Sequence, residues 1–109
     1  MKIETKQHKG TIVFAISGDI DMYTSPGLRK ELLAIIKKKE KTLVVDFEEV
    51  TYIDSSGIAT FVEGLKGMMA YGGKLKLMCI PDRIIEIFTF SKLDKVFEIH
   101  GDIDSAVNS

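Results

Sequence analysis

The tetrad Asp54-Ser55-Ser56-Gly57 puts one carboxylate, two hydroxyls and a glycine in consecutive positions. A short apolar run, Leu43 to Phe47, comes before it and reads as a buried strand. Ile58 to Tyr71 follows, with apolar residues at helical spacing. The hydroxyls therefore stand at the start of a helix, where unpaired N–H groups and the positive end of the macrodipole favour negative charge. A serine in that place can cap the helix or carry a phosphate. Two more carboxylates, Asp19 and Asp21, follow an earlier strand candidate in the loop Gly18 to Pro26.

Nucleophilic catalysis is the competing chemistry. Ser55 as a nucleophile would need a general base in hydrogen-bond reach and an oxyanion hole. The chain offers only His8, near the first hairpin turn and on the edge opposite the tetrad, and His100, near the C-terminus. The nucleophile-elbow spacing of glycine, any residue, serine, any residue, glycine is absent. No glycine-rich phosphate loop supports an intrinsic kinase. Asp21 and Asp54 make a weak metal pair, since two loop carboxylates fall short of a cation cage. The residues predict a non-enzyme without metal or cofactor.

The elements that must position the tetrad follow in order. Lys2–His8 and Thr11–Ser17, separated by Lys9-Gly10, predict an antiparallel hairpin with the first strand at an edge. Ser25 and Pro26 read as the N-cap and first residue of a helix, with Thr24 as an alternative cap. That helix carries Leu28, Leu32, Ile35 and Ile36 inward and ends in the Lys37–Lys41 run, whose lysines suit a helix C-terminus. In the second helix, Ile58, Phe61, Val62, Leu65, Met68 and Met69 form the buried stripe. Gly64 and Gly67, each costing roughly 1 kcal/mol against alanine, mark the close approach of another element. Gly72-Gly73 stops this helix. Lys74–Ile80 is the next strand, with Leu75, Leu77 and Cys79 on one face. A third helix opens at Pro81-Asp82 and carries Ile84, Ile85, Ile87 and Phe88. Phe90 to Asp94 turns into a last strand, Val96–Ile99, and Ile103–Asn108 forms a final helical turn or frays.

A hairpin followed by strand–helix alternations predicts an α/β fold with a mostly parallel sheet of four or five strands, about four helices and right-handed crossovers. Sites in such sheets gather at the carboxyl ends of the strands. The loop from Gly18 and the turn at Ile53–Gly57 should then emerge together, making one acidic, hydroxyl-bearing surface of Asp19, Asp21, Asp54, Ser55 and Ser56.

With 109 residues and 45% hydrophobic composition, the chain is sized for one domain, residues 1–109, around one core. A net charge of −1 favours neither nucleic acid nor an anionic membrane. No apolar run approaches the ~20 residues of a membrane span, and the N-terminus lacks the apolar centre of a signal peptide. Cys79, the single cysteine, reads as a small core hydrophobe. These features predict a cytoplasmic location.

The chain resembles the single-domain anti-sigma factor antagonists of the STAS family. The resemblance covers nearly the whole chain. It runs through Gly18-Asp19-Ile20-Asp21, Val45-Asp46-Phe47, Asp54-Ser55-Ser56-Gly57, Gly72-Gly73 before a strand, and Phe90-Ser91-Lys92-Leu93-Asp94-Lys95-Val96-Phe97. Pro26 departs from the alanine common in that family and leaves the mechanism untouched.

The resemblance implies partner switching. In it the unphosphorylated chain binds an anti-sigma factor, a GHKL-type serine kinase, and frees a sigma factor. Phosphorylation of the first tetrad serine, here Ser55, ends the binding, and a metal-dependent serine phosphatase restores it. Asp21 matches an acidic loop residue beside the phosphorylated serine. The partner surface is then Asp21, Asp54, Ser55, Ser56 and Gly57, on a chain that is a monomer when free. Phosphate at a helix start leaves the fold standing and deepens the acidic patch. Ser56 reads as support for Ser55. Gly57 serves either the approach of a partner backbone or packing at the helix start. The alternative within the fold is a STAS scaffold, or a soluble subunit of a signalling or lipid-transport complex, that acts by binding alone.

Overall fold

A computed structural model describes residues 1–108. Five strands form one sheet in the order β1-β2-β3-β4-β5. They are β1 (Lys2–His8), β2 (Thr11–Ile20), β3 (Thr42–Ile53), β4 (Lys74–Met78) and β5 (Glu98–His100). β1 pairs antiparallel with β2 and the remaining pairs are parallel, as the alternating pattern predicts. The helices among the described residues are α1 (Ser25–Lys37), α2 (Ser55–Met69), α3 (Asp82–Phe90) and α4 (Ile103–Asn108).

The main core lies between one sheet face and helices α1, α2 and α3. Phe14, Ile16, Leu43, Val45, Phe47, Leu75 and Leu77 point into it from the strands, and Leu28, Leu32, Phe61, Met68, Ile84 and Phe88 from the helices. Phe47 stacks at the centre, 5.2 Å from Phe61 and 6.0 Å from Phe88 between ring centroids. On the other face, α4 covers a smaller cluster of Val13, Val44, Met78 and Ala106. Lys76 is buried there and donates from Nζ to Ala106 O at 2.9 Å.

Two strands are longer than their sequence patterns predict. β3 continues past Phe47 to Ile53, and β2 continues past Ser17 to Ile20. Register shifts between Ala15 and Ser17 and between Gly18 and Asp19 cause this. They break the alternation, so Phe47, Val50 and Ile53 are all buried at a spacing of three. Gly18, at φ +88°, supplies the backbone freedom at that irregularity.

Other boundaries also move. α2 begins at Ser55 rather than Ile58, because Asp54 caps it. Thr24, not Ser25, is the N-cap of α1, which makes Ser25 its first residue; Thr24 gives the helix no side-chain cap bond. β4 ends at Met78, and Cys79 turns out of the strand at φ +56°, half-buried beside the smaller cluster. β5 begins at Glu98, leaving Val96 exposed. Met69 is exposed at the helix end instead of joining the buried stripe. Gly64 and Gly67 do mark a close approach: a Cβ at each would lie 3.1 Å from Leu32 Cδ1 and 2.5 Å from Ile36 Cδ1 of α1.

Candidate functional site

Parallel pairing carries Ile20 of β2 and Ile53 of β3 to the same level of the sheet edge. Each strand then turns into a helix, so the N-termini of α1 and α2 lie side by side. The two loops expected to meet do so.

Asp54 organises the second turn. Its backbone is extended, and Oδ1 accepts from the amides of Ser56 at 3.0 Å and Gly57 at 3.2 Å. Ser56 Oγ donates to the same oxygen at 2.5 Å. The Ser56 hydroxyl most of all, then the Gly57 and Ser56 amides with help from Met22, holds the Asp54 carboxyl below the usual carboxylate range. The Asp54 amide donates to Ile20 O at 3.1 Å, tying this turn to the end of β2.

The β2–α1 loop is closed on itself. Asp21 Oδ1 accepts from the amides of Tyr23 at 2.9 Å and Thr24 at 3.1 Å, an Asx-type turn. Thr24 Oγ1 accepts from the Asp21 amide at 2.9 Å. Asp19 Oδ1 accepts from Thr51 Oγ1 at 2.6 Å, linking β2 to β3. The carboxylates of the anticipated acidic surface do gather at one edge, and each has taken a local donor. Among the described residues Oδ1 of Asp21 and Oδ1 of Asp54 are thus engaged as turn and cap acceptors.

The two serines are not equivalent. Ser55 is exposed at the first position of α2, and among the described residues no hydrogen bond engages its hydroxyl. Ser56 is half-buried, bonded to Asp54, and has its Oγ 3.2 Å from Ser25 Oγ of α1. Gly57 is buried: a Cβ there would lie 2.8 Å from Ile20 Cγ2 and Ile53 Cγ1, and 3.1 Å from Ile20 O. Its place in the structure is close helix–strand packing, so it supports the surface from beneath.

Sequence reasoning missed four contributors. Met22 and Tyr23, beside the turn, are 65% and 85% exposed, a pair of large apolar groups at the mouth of the site. Ser25 is buried under it. Arg29 lines a shallow groove with Met22, Pro26, Ser56 and Thr60, and its guanidinium meets Glu63 of α2 through two bonds of 2.8 and 3.0 Å. Only contact across the loops reveals these roles; Met22 and Tyr23 alone had a legible signal, apolar residues in a polar loop.

His8 lies at the hairpin end, near Asp104, and His100 at the far edge strand, bonded to Glu98 and Ser105. Neither reaches the tetrad.

A model of the STAS domain matches residues 2–106. The chain belongs to the STAS family. An anti-sigma-B factor antagonist of Bacillus subtilis is 30% identical over 107 residues, which covers 98% of this chain and 97% of that protein. An anti-sigma factor antagonist from Mycobacterium paratuberculosis superposes with a TM-score of 0.88 at 23% identity, over 98% and 91% of the two chains. The Bacillus cell-fate determinant SpoIIAA superposes in its unphosphorylated form with a TM-score of 0.74 at 18% identity, over 98% and 96%, and in its phosphorylated form with 0.76 at 19%, over 98% and 97%. At these identities the superpositions speak for the STAS fold. No helix among the described residues is long and apolar enough to cross a membrane.

Proposed function

We propose that this STAS chain is an anti-sigma factor antagonist switched by phosphorylation of Ser55. The observation that carries the reading is the contrast between the serines: Ser55 is exposed with a free hydroxyl at the start of α2, while Ser56 is held by Asp54 and Ser25. A kinase can reach Ser55 without dismantling the cap. In the reaction the γ-phosphoryl group of ATP passes to Ser55 Oγ, the hydroxyl proton is lost and ADP leaves. The partner is an anti-sigma factor with serine kinase activity. It binds the unphosphorylated chain over Ser55, the Asp21 and Asp54 turns, and the exposed Met22 and Tyr23. Phosphate adds about −1.5 to −2 charge beside the Asp54 carboxylate and expels the partner by repulsion and bulk. The dipole and amides of α2 accommodate it with the fold intact. A serine phosphatase resets the chain, which acts in the cytoplasm as a binding regulator rather than a catalyst. The B. subtilis relative, named an anti-sigma-B factor antagonist and aligned over nearly the full length, supports the partner class.

Intact mass after incubation with ATP and anti-sigma kinases of the same genome tests this, with Ser55→Ala alongside. One phosphate on the wild type and none on the variant is the expected result. Phosphate on both moves the site to another hydroxyl. None on either, across the candidate kinases, favours a STAS module that works by binding alone.

A further inference from the structure

Ser25 is 6% exposed, yet its hydroxyl sits where the two loops of the site join. Ser25 Oγ donates to Asp21 O at 2.5 Å, and the Ser25 amide donates to the same carbonyl at 2.8 Å. Across the junction, Ser56 Oγ donates to Asp54 Oδ1 and lies 3.2 Å from Ser25 Oγ. A hydroxyl has one proton to give. Three contacts (Ser25 to Asp21, Ser56 to Asp54, and serine to serine) therefore compete for two protons, and the pair has more than one hydrogen-bonding arrangement. Residue 55 adjoins both Asp54 and Ser56 in the chain. A phosphate there introduces three strong acceptor oxygens into the competition for the Ser56 proton.

We infer that Ser25 is a positioning residue that carries the phosphorylation state of Ser55, by way of Ser56 Oγ, to the β2–α1 loop bearing Met22 and Tyr23. The inference rests on Ser55 being the phosphorylated residue. When Ser56 Oγ turns from Asp54 toward the phosphate, its contact with Ser25 changes, and Ser25 makes the shortest bond to Asp21 O, a carbonyl that also accepts from the Thr24 amide at 3.2 Å. Asp21 in turn holds the Tyr23 and Thr24 amides through its carboxylate. The switch then has a second component beyond repulsion at Ser55: the exposed apolar pair is repositioned. A parallel route exists through the backbone, from the Asp54 amide to Ile20 O, so the test must separate the two.

Phosphoserine incorporated at position 55 during synthesis makes the experiment independent of any kinase or partner. Amide ¹H–¹⁵N spectra are compared with and without the phosphate in the wild type, Ser25→Ala and Ser25→Thr. In the wild type the phosphate shifts the Met22, Tyr23 and Thr24 amides as well as Ser56 and Gly57. Ser25→Ala loses the shifts at residues 22–24 and keeps those at Ser56 and Gly57, while Ser25→Thr, which retains a hydroxyl, restores them. Ser56→Ala, which breaks the same link from α2, also abolishes the shifts at 22–24 and decides the matter if Ser25→Ala does not fold. Equal shifts at 22–24 in the wild type and the alanine variants, or none there in the wild type, overturn the relay. Failure of the functional reading shows up elsewhere, as absence of any kinase that modifies Ser55, with these spectra unaffected.

Discussion

Asp54 binds Ser56 twice, through the amide at 3.0 Å and through the hydroxyl, and both bonds end on Oδ1. This single oxygen caps α2 and also fixes which serine remains available. The residue after the cap keeps its hydroxyl in solvent, and the next is drawn inward. In this chain the difference in exposure between two adjacent serines goes with a cap.

That cap predicts a pH dependence. Hydrogen bonds from Ser56 and Gly57 hold the Asp54 carboxyl below its ordinary value. A carboxyl whose folded pKa is depressed contributes stability above its unfolded value, about 3.9, and loses it as pH falls through the folded value. Asp54→Asn retains a capping acceptor but cannot titrate. The stability difference between wild type and Asp54→Asn, followed by urea unfolding, should therefore be constant near neutrality and shift against the wild type in acid. Asp54→Ala should weaken the first turn of α2 at all pH values, seen as faster hydrogen exchange at the Ser56 and Gly57 amides.

Gly57→Ala tests the packing beneath the site. The added methyl would meet Ile20 Cγ2 and Ile53 Cγ1 at 2.8 Å, both on buried β-branched side chains that have little room to turn. Ile20 O at 3.1 Å closes the third side. Overpacking of this kind costs about 1–3 kcal/mol. For a domain of this size each kcal/mol lowers Tm by about 4–8 °C, which calorimetry will read. An unchanged Tm would mean that α2 stands off from β2 and β3 more than the contacts indicate.

The tetrad's setting and the parallel order of strands were legible because both rest on local pattern: an apolar run, a turn and a helical stripe. The convergence of the two loops followed from topology alone. What was hidden depended on contacts distant in sequence. Ser25 reads as a cap until α2 brings Ser56 beside it. Asp21 and Asp54 read as a bare acidic pair until the turn amides are counted against their oxygens. β3 reads as ending at Phe47 because its irregular pairing with β2 places Val50 and Ile53, three residues apart, on the buried face. Gly57 reads as partner contact or packing, and its close fit against Ile20, a strand away, is visible only in the fold.

Tyr23 offers a test of the partner surface that leaves phosphorylation chemistry alone. It is 85% exposed, its backbone amide donates to Asp21 Oδ1, and among the described residues no hydrogen bond engages its side chain. Removing the ring should leave Tm unchanged. Exposed aromatics at the centre of an interface are common hot spots, and loss of one costs on the order of tenfold in affinity or more. Titration of the anti-sigma partner against Tyr23→Ala, beside a distant control such as Phe90→Ala, separates the two faces. Weakened binding by Tyr23→Ala alone puts the partner on the Ser55 side; weakening by Phe90→Ala alone would move the interface to α3.

Cys79 reports on the opposite face of the sheet. Burial, then the nearby charges of Asp46, Glu48 and Asp102, push its thiol above the ordinary value. Both effects disfavour the thiolate, which is the reacting species. Alkylation of the folded protein should therefore be slow at pH 8 and rise only at higher pH than for the unfolded chain. Asp46→Asn with Glu48→Gln removes two of the three charges and should bring the pH–rate midpoint down, leaving the burial part in place. If the double variant alkylates with the wild-type profile, burial, the Sγ–H contact to Gly101 O and the remaining Asp102 charge account for the protection, and Asp46 and Glu48 have no hold on the Cys79 proton.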